Sequence, residues 1–105
     1  MQQEFKKTIL LVEDIAIIAM AEANTLKHNG FDVIIAFNGT EAVKLASENS
    51  NIDLILMDID LGKGMNGTEA AQIILKNRDV PIVFLSNHTE KEIVEKTEKI
   101  TSYGY

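Results

Sequence analysis

The sequence predicts an α/β domain in which helices cover both faces of a parallel sheet. Apolar runs with strand character alternate with helix patterns four times along the chain, and that order favours a parallel sheet with right-handed crossovers. The run at Asp53–Asp60 is apolar from Leu54 to Met57 and ends in two carboxylates, which is typical of a strand buried on both faces. With 105 residues, 46% of them hydrophobic, the chain has room for one such domain.

The strands are predicted from apolar runs bounded by turn residues. They are four in number: Thr8–Val12, Asp32–Phe37, Asp53–Asp60 and Pro81–Ser86. The only proline stands at the first residue of the last run, a position that a strand tolerates. Each run is followed by a helix pattern, so the strands should pair in parallel.

The helices are predicted from their start and stop signals. Gly30 stands where the first helix, beginning at Ile15, needs a left-handed cap. The second and third helices open with the same five residues, Asn-Gly-Thr-Glu-Ala, at Asn38–Ala42 and Asn66–Ala70. Threonine near the N-cap and glutamate in the first turn favour a helix start. Thr89–Glu92 has capping-box spacing and starts a fourth helix. The predicted helices end near four positions: Asn29, Glu48, Asn77 and Thr101.

The composition excludes several classes of function. Acidic residues outnumber basic ones by 16 to 10, whereas a nucleic-acid surface normally has clustered Lys and Arg. The absence of cysteine removes disulfides, thiol nucleophiles and Cys-based zinc sites, and it fits a reducing compartment. No apolar stretch approaches the roughly 20 residues of a membrane span, and Glu13-Asp14 interrupts what would otherwise resemble a secretion signal. We therefore predict a cytoplasmic domain that binds neither nucleic acid nor membrane.

The first predicted helix has an unusually apolar surface. Between Ile15 and Asn24 its single charged residue is Glu22, although a surface helix normally has an apolar stripe and a polar back. One helical face cannot hold all of these apolar side chains, so some should be exposed. Two interpretations stay open: alanines that serve helix propensity, or a patch that docks a partner through residues such as Ala19 and Met20.

The ends of the predicted strands carry the chemistry. Because parallel strands present their C-terminal ends at one edge, five side chains should converge there: Glu13, Asp14, Asp58, Asp60 and Ser86. Grouped carboxylates raise one another's pKa unless a cation compensates them, and an oxygen-only set suits Mg²⁺. Beside such an ion, Asp58 can attack a phosphoryl group while Ser86 bonds to its oxygens. Asp14 fits capping of the following helix equally well. Neither His28 nor His88 has a spacing that suggests a zinc site.

Four short segments together resemble a known family: Leu10–Asp14, Leu56–Asp58, Asn66-Gly67 and Val83–Ser86. Over essentially the whole chain the sequence resembles receiver domains of two-component response regulators, including the single-domain chemotaxis type. The resemblance implies the family's flavodoxin-like doubly wound parallel sheet, with strand order 2-1-3-4-5. It also implies a phosphorelay function, in which a sensor histidine kinase or a phosphotransfer domain donates a phosphoryl group and the receiver switches its partner binding.

The resemblance gives individual residues a role. The Mg²⁺ ligands would be the side chains of Glu13, Asp14 and Asp58 and the main-chain carbonyl of Asp60. Asp58 would be the phosphoacceptor, with Ser86 as the switch hydroxyl and Tyr105 as the switch aromatic. The side chains of Asp60 and His88 would tune dephosphorylation.

Two features depart from the family pattern. In the family a fifth strand carries an aromatic residue and then a lysine that contacts the phosphoryl group; Gly104-Tyr105 matches its start, and the lysine would lie a few residues beyond. We therefore expect residues 1–105 to be one receiver domain whose fifth strand and fifth helix are cut off. Such a domain should phosphorylate poorly and self-associate through an uncovered sheet edge. The Gly62-Lys63-Gly64 loop also departs, with glycine where many receivers have proline.

Two other functions fit parts of the pattern. Met57–Asp60 has the order of the nucleophile motif in haloacid-dehalogenase-type phosphatases, but a complete strand-helix unit with its own acids precedes it. A phosphate-independent adaptor could use the same fold and bind a partner through the apolar first helix, although the full set of carboxylates counts against that role. We expect a signalling receiver that catalyses only its own phosphorylation and dephosphorylation, not a turnover enzyme.

Overall fold

The computed structural model describes residues 6–62 and 64–85. Its strands are β1 (Thr8–Val12), β2 (Asp32–Ala36), β3 (Ile52–Asp58) and β4 (Ile82–Leu85). Its helices are α1 (Ala16–His28), α2 (Gly39–Glu48) and α3 (Gly67–Asn77). None of these three helices has the length and apolarity that crossing a membrane requires. All of these elements were predicted with bounds within two residues of the observed ones, and the predicted fourth helix falls outside the described residues.

The sheet has the predicted parallel, doubly wound topology. All neighbouring strands pair in parallel, and their order is β2-β1-β3-β4. The register places Val12 opposite both Ala36 and Met57, and Asp58 opposite Leu85. The C-terminal ends of all four strands therefore lie along one edge of the sheet. The place of a fifth strand lies beyond the part of the chain that the structure describes.

Helices cover both faces of this sheet. Leu10 and Val12 belong to the core cluster that includes residues of α2 and α3. Ile9 and Leu11 alternate with them along β1 and therefore point to the opposite face, where α1 packs on β1 and β2. These four side chains are at most 2% exposed. The central strand is thus buried on both sides, as its uninterrupted apolar sequence predicts.

The end of α1 confirms the predicted glycine cap. Gly30 has a φ of 92°, and its N–H donates to the carbonyl of Lys27 at 3.0 Å. The N–H of Phe31 donates to the carbonyl of Leu26 at 3.2 Å. These two bonds make a Schellman motif, which requires a left-handed residue at position 30 and so favours glycine there.

The two helices with the shared five-residue start are capped in nearly the same way. Asn38 Oδ1 accepts the N–H of Glu41 at 2.7 Å, and Asn66 Oδ1 accepts the N–H of Glu69 at 2.9 Å. Glu69 Oε1 in turn accepts the N–H of Asn66 at 2.9 Å, which completes a capping box. Glu41 Oε1 instead accepts the N–H of Phe37 at 2.7 Å. Asparagine is therefore the capping side chain in both helices, and threonine follows two positions later.

Arg78, directly after α3, binds the connection between α2 and β3. Its guanidinium donates to four backbone carbonyls, those of Ala46 at 3.1 Å, Asn49 at 3.0 Å, Ser50 at 3.3 Å and Ile52 at 2.9 Å. These carbonyls end α2 and begin β3, so a positive charge meets the acceptors left unpaired at a helix C-terminus. Hydrogen bonds from a charged donor are stronger than those between neutral groups. We infer that Arg78 is a major stabilising contact at the N-terminal edge of the sheet, where β3 begins.

Candidate functional site

Three of the four carboxylates that were predicted to converge lie together at the C-terminal edge of the sheet. Glu13 and Asp14 follow β1, and Asp58 ends β3. One carboxylate oxygen from each of the three lies within 4.8 Å of the others. This proximity follows from the register, since Val12 pairs with Met57 and the next residues along the two strands are Glu13 and Asp58. We call these three residues the acidic cluster.

Glu13 is the buried member of the acidic cluster, with 8% of its surface exposed. Its N–H donates to the carbonyl of Ala36 on β2 at 3.0 Å, and its Oε2 accepts the N–H of Ile15 at 3.1 Å. Burial raises the pKa of Glu13, and the negative charges of Asp58 and Asp14 raise it further, while the bond from Ile15 acts in the opposite direction. The fold therefore holds the Glu13 carboxyl in a position where its ionised form is unfavourable.

Asp58 is half-buried at the end of β3. Its Oδ1 accepts the N–H of Asp60 at 3.1 Å. Burial raises the pKa of Asp58, and the charges of Asp14 and Asp60 add to the rise, whereas hydrogen bonds from Asp60 and Glu13 oppose it. Within the described residues, every charged group that shifts the pKa of Glu13 or Asp58 is another carboxylate. The electrostatics of the acidic cluster thus favour a bound cation.

Asp14 does not cap α1. The helix begins at Ala16 with Ile15 in the N-cap position, and that cap has no side-chain hydrogen bond. The carboxylate that bonds to the chain entering the helix is that of Glu13, through the N–H of Ile15. The capping interpretation of Asp14 is therefore wrong, and its exposed carboxylate lies with those of Glu13 and Asp58.

The loop after β3 folds back onto the acidic cluster. The N–H of Gly62 donates to Asp60 Oδ1 at 3.4 Å, and Gly62 has a φ of 75°. A Cβ at position 62 would lie 3.3 Å from Asp14 Oδ2. Leu61 between them is 3% exposed and belongs to the core. The two acids after Met57 thus have different surroundings, because Asp58 belongs to the acidic cluster and the exposed Asp60 side chain bonds to its own loop.

The donor set of the acidic cluster fits Mg²⁺. That ion binds oxygen ligands, typically one or two protein carboxylates, and keeps several waters. The cluster combines a buried, a half-buried and an exposed carboxylate, so an ion held there would stay open to water on the side of Asp14. Its charge would also lower the pKa of Glu13 and Asp58 by opposing their mutual repulsion.

Comparison with known proteins decides the family. Residues 9–105 match the family described as the response regulator receiver domain. The chain belongs to that family. It is 40% identical over 84 residues to the phyllosphere-induced regulator PhyR of Methylorubrum extorquens, a match over 79% of this chain and 32% of PhyR. It is 33% identical over 100 residues to the transcriptional regulatory protein PdtaR of Mycobacterium tuberculosis, a match over 94% of this chain and 48% of PdtaR.

A solved structure of similar sequence has the same fold. The N-terminal domain of a response regulator/sensory box/GGDEF 3-domain protein from Carboxydothermus hydrogenoformans is 46% identical, with a TM-score of 0.82. The match covers 94% of this receiver and 79% of that chain. By contrast, the receiver spans less than half the length of the curated regulators PhyR and PdtaR.

Three predicted site residues lie outside the described part of the receiver: Ser86, His88 and Tyr105. The described end of β4 is Leu85, which pairs with Asp58 and whose carbonyl accepts the N–H of Ile59 at 3.0 Å. β4 therefore ends next to the acidic cluster. The roles of the three residues that follow it stay predictions.

A further carboxylate, that of Glu22 on α1, was not predicted as part of the site. Its Oε1 is buried and has no hydrogen-bond partner among the residues that the structure describes. Burial raises the pKa of Glu22, and the charge of Glu13 raises it further. The signal in the sequence was its position as the single charge in an apolar stretch, because an unpaired acid on the inward side of a helix is rare.

The exposed apolar surface predicted for α1 is present. Ile17 is 77% exposed and Met20 is 64% exposed, and with Ile35 of β2 they line an open groove of about 660 Å³. Ala19 is fully buried, so it belongs to the core and not to a docking patch. Large apolar side chains, not only alanines that favour helix formation, face solvent on α1, and this favours the docking interpretation.

Proposed function

We propose that this receiver accepts a phosphoryl group on Asp58 from the phosphohistidine of a sensor histidine kinase or a phosphotransfer domain. Mg²⁺ would bind at the acidic cluster. The observation that carries the proposal is the approach of three carboxylate oxygens to within 4.8 Å at the ends of two neighbouring strands, in a chain of the receiver family. Without a bound cation, the repulsion among these three carboxylates is unfavourable. A site that binds Mg²⁺ for phosphoryl transfer is a functional reason to keep them together.

The proposed reaction is a displacement at phosphorus. When bound, Mg²⁺ supplies positive charge that offsets the charges of the acidic cluster and of the transferring phosphoryl oxygens. Glu13 and Asp14 would hold the ion from one strand end and Asp58 from the next, and the main-chain carbonyl of Asp60 would be a further ligand. A carboxylate oxygen of Asp58 attacks phosphorus, a P–O bond forms, and the P–N bond to the donor histidine breaks with its electron pair left on the imidazole nitrogen.

The surroundings of Asp58 support its role as the nucleophile. The N–H of Asp60 bonds to Oδ1 at 3.1 Å, which orients the carboxylate before the donor arrives. Water then hydrolyses the acyl phosphate, releases inorganic phosphate and restores the carboxylate.

The remaining predicted residues complete the proposed switch. Ser86 would hydrogen-bond the phosphoryl oxygens, Tyr105 would respond to its movement, and Asp60 and His88 would set the rate of dephosphorylation. The added charge and acceptor oxygens bias a two-state surface that partners recognise. In this proposal the receiver catalyses its own phosphorylation and dephosphorylation and turns over no external substrate.

The exposed face of α1 is the proposed docking surface for the phosphodonor. Ile15, which directly follows Asp14, is 48% exposed, and Ile17 and Met20 are more exposed still. A partner that covers these side chains would bring its phosphohistidine to the same edge of the sheet as Asp58. Burial of such apolar area is the usual source of association free energy.

The same surface supports a second candidate function, that of a phosphate-independent adaptor. An adaptor would bind its partner through α1 alone and would not need a metal site. Mg²⁺ binding separates the two functions, because a phosphoacceptor should bind the ion at the acidic cluster. Partner binding that is unaffected both by Mg²⁺ and by neutralising Asp58 would favour the adaptor.

Asp58→Asn tests the proposed function. The protein is incubated with acetyl phosphate and Mg²⁺, and acid-labile phosphoryl incorporation is measured. We expect incorporation in the wild type and in a control, Asp79→Asn, which alters an exposed side chain at the opposite edge of the sheet. We expect none in Asp58→Asn. Undiminished labelling of Asp58→Asn would sink the proposal.

A further inference from the structure

The two Asn-Gly helix starts are each in close contact with the backbone of another segment. Gly39 begins α2, and a Cβ there would lie 2.8 Å from the carbonyl oxygen and 3.1 Å from the Cβ of Met65. Gly67 begins α3, and a Cβ there would overlap the carbonyl oxygen of Asp58 and lie 2.9 Å from the Cα of Ile59. Approaches this close leave no room for a side chain, so both positions require glycine.

These contacts hold the described part of the loop between β3 and α3, residues 59–62 and 64–66, at three points. Met65 sits against Gly39 and packs partly buried on the core. The N–H of Gly67 donates to the carbonyl of Ile59 at 2.9 Å, which closes the base of the loop. At its tip, Gly62 lies against Asp14, with Oδ2 at 3.3 Å from the position of a Cβ. The start of α2 is thus connected to the acidic cluster through the loop.

This loop is close to two members of the acidic cluster. Asp60 in the loop donates its N–H to Asp58 Oδ1 at 3.1 Å, and Gly62 lies near Asp14, where a Cβ would come within 3.3 Å of Asp14 Oδ2. Packed interiors transmit small displacements because they contain few voids. A binding site loses affinity when its ligands move by about 0.5 Å, so a displacement of Met65 by a new methyl group should be felt at the cluster.

We propose that Gly39 is a positioning residue for the Mg²⁺ site, because the absence of a side chain there lets α2 hold Met65 and thereby the loop against Asp14 and Asp58. This inference rests on the proposed function, since it requires the ion to bind at the acidic cluster. It explains why the same Asn-Gly-Thr-Glu-Ala start occurs twice: Gly67 fits directly onto Asp58, and Gly39 fits onto the other end of the loop.

Gly39→Ala in the full chain tests the proposal. Mg²⁺ is titrated into ¹⁵N-labelled protein, and the dissociation constant is measured from amide signals of the loop. We expect Gly39→Ala to bind Mg²⁺ about tenfold more weakly, the size of effect seen when residues that support metal ligands are changed. The metal-free spectrum should already show shifted signals for Asp60 and Gly62.

Val43→Ala is the matched control for loss of stability. Val43 is on the same helix and packs against the core, so its truncation should lower stability without moving Met65. We expect its Mg²⁺ affinity to stay within about twofold of the wild type, since the cluster and its loop are not touched. An equal loss of affinity in Val43→Ala and Gly39→Ala would mean that stability alone matters, and it would overturn the proposal.

A double-mutant cycle with Met65→Gly tests the route of the effect. That substitution removes Met65 Cβ and Cγ, both 3.1 Å from the position of a Cβ at residue 39. In this background the effect of Gly39→Ala on Mg²⁺ affinity should fall well below tenfold, since only the approach to the Met65 carbonyl oxygen, at 2.8 Å, remains. An undiminished tenfold effect would show that Gly39 does not act through the side chain of Met65, and it would overturn this route.

The outcomes separate this inference from the proposed function. Mg²⁺ binding that is equal in the wild type and Gly39→Ala overturns the inference alone. No Mg²⁺ binding by the wild type overturns both. If Gly39→Ala does not fold, Met65→Ala decides, because it removes the Cγ contact without adding a clash: weakened Mg²⁺ binding supports the proposal, and unchanged binding overturns it.

Discussion

At the C-terminal edge of the sheet three carboxylates lie within 4.8 Å of one another, whereas at the N-terminal edge the guanidinium of Arg78 donates to four carbonyls. The first edge holds like charges together and raises the pKa of Glu13 and Asp58, mainly through burial. The second edge satisfies its acceptors with one positive charge. Stability and chemistry are therefore separated along the strands of this receiver, since a functional site often keeps groups that destabilise the fold.

The largest effect on the free energy of unfolding is expected at the N-terminal edge of the sheet, where Arg78 binds. Arg78→Met keeps the aliphatic stem but leaves the four carbonyls without their donor, so the free energy of unfolding should fall by about 3 kcal/mol. Urea denaturation measures this loss. Lys76→Met, which removes an exposed charge from the last turn of α3, should stay within about 0.5 kcal/mol of the wild type. A loss of Mg²⁺ affinity in folded Arg78→Met would contradict the separation of the two edges.

A substitution in the acidic cluster should have the opposite effect and increase the free energy of unfolding of the metal-free receiver. Glu13→Gln removes a buried charge and keeps an oxygen that can accept the Ile15 N–H, so the free energy of unfolding without metal should rise by about 1 kcal/mol. Mg²⁺ binding should weaken about tenfold or more. Urea denaturation with and without Mg²⁺ measures both effects. A less stable metal-free variant would mean that the cluster is not under electrostatic strain.

The pH dependence of the free energy of unfolding should further distinguish the acidic cluster from the edge that Arg78 stabilises. Burial raises the pKa of Glu13 in the folded receiver above its unfolded value, so between these two values the folded state binds more protons than the unfolded chain. The contribution of Glu13 to stability is therefore greatest below the unfolded pKa and decreases as the pH rises through the folded pKa. The advantage of Glu13→Gln over the wild type should be full above the folded pKa of Glu13 and shrink as the pH falls toward the unfolded value. Urea denaturation across this pH range checks it, and a difference that stays constant would refute the linkage.

The smallest effect on stability is expected at the exposed surface of α1, away from both edges. Met20→Lys should change the free energy of unfolding by less than about 0.5 kcal/mol and leave labelling by acetyl phosphate unchanged. Transfer from a phosphorylated phosphotransfer protein should become slower, because the docking surface is disturbed. Gln72→Lys on the exposed side of α3 is the control and should leave both reactions unchanged. Equal transfer rates for the two variants would remove α1 from the docking surface.

The part of the fold that depends on local pattern was predicted from the sequence. Strand β3 and the helix starts at Asn38 and Asn66 follow from apolar runs and capping residues that are close in the chain. Gly30 likewise could be predicted, since a helix end that needs φ near 92° favours glycine. The convergence of Glu13, Asp14 and Asp58 followed from one further step, that parallel strands end at a common edge.

The parts that were missed depend on contacts between residues far apart in the sequence. Arg78 bonds to carbonyls 26 to 32 residues away, and no local pattern marks a side chain that binds backbone. The burial of Glu22 depends on how α1 lies on the sheet, and its repulsion from Glu13 arises only in the folded receiver. The role of Gly39 could not be predicted because the Asn-Gly-Thr-Glu-Ala motif is sufficiently explained at both positions as a helix start. Only the packing of Met65 against Gly39 distinguishes Gly39 from Gly67.

A titration of Mg²⁺ into ¹⁵N-labelled wild type and Asp58→Asn, with Asp79→Asn as the control, most directly tests whether the acidic cluster is a metal site built around Asp58. We predict saturable changes at the amides of Asp14, Asp58 and Gly62 in the wild type and the control, with affinity at least about tenfold weaker in Asp58→Asn. An identical response in Asp58→Asn, or none in the wild type across the millimolar range, would contradict the account.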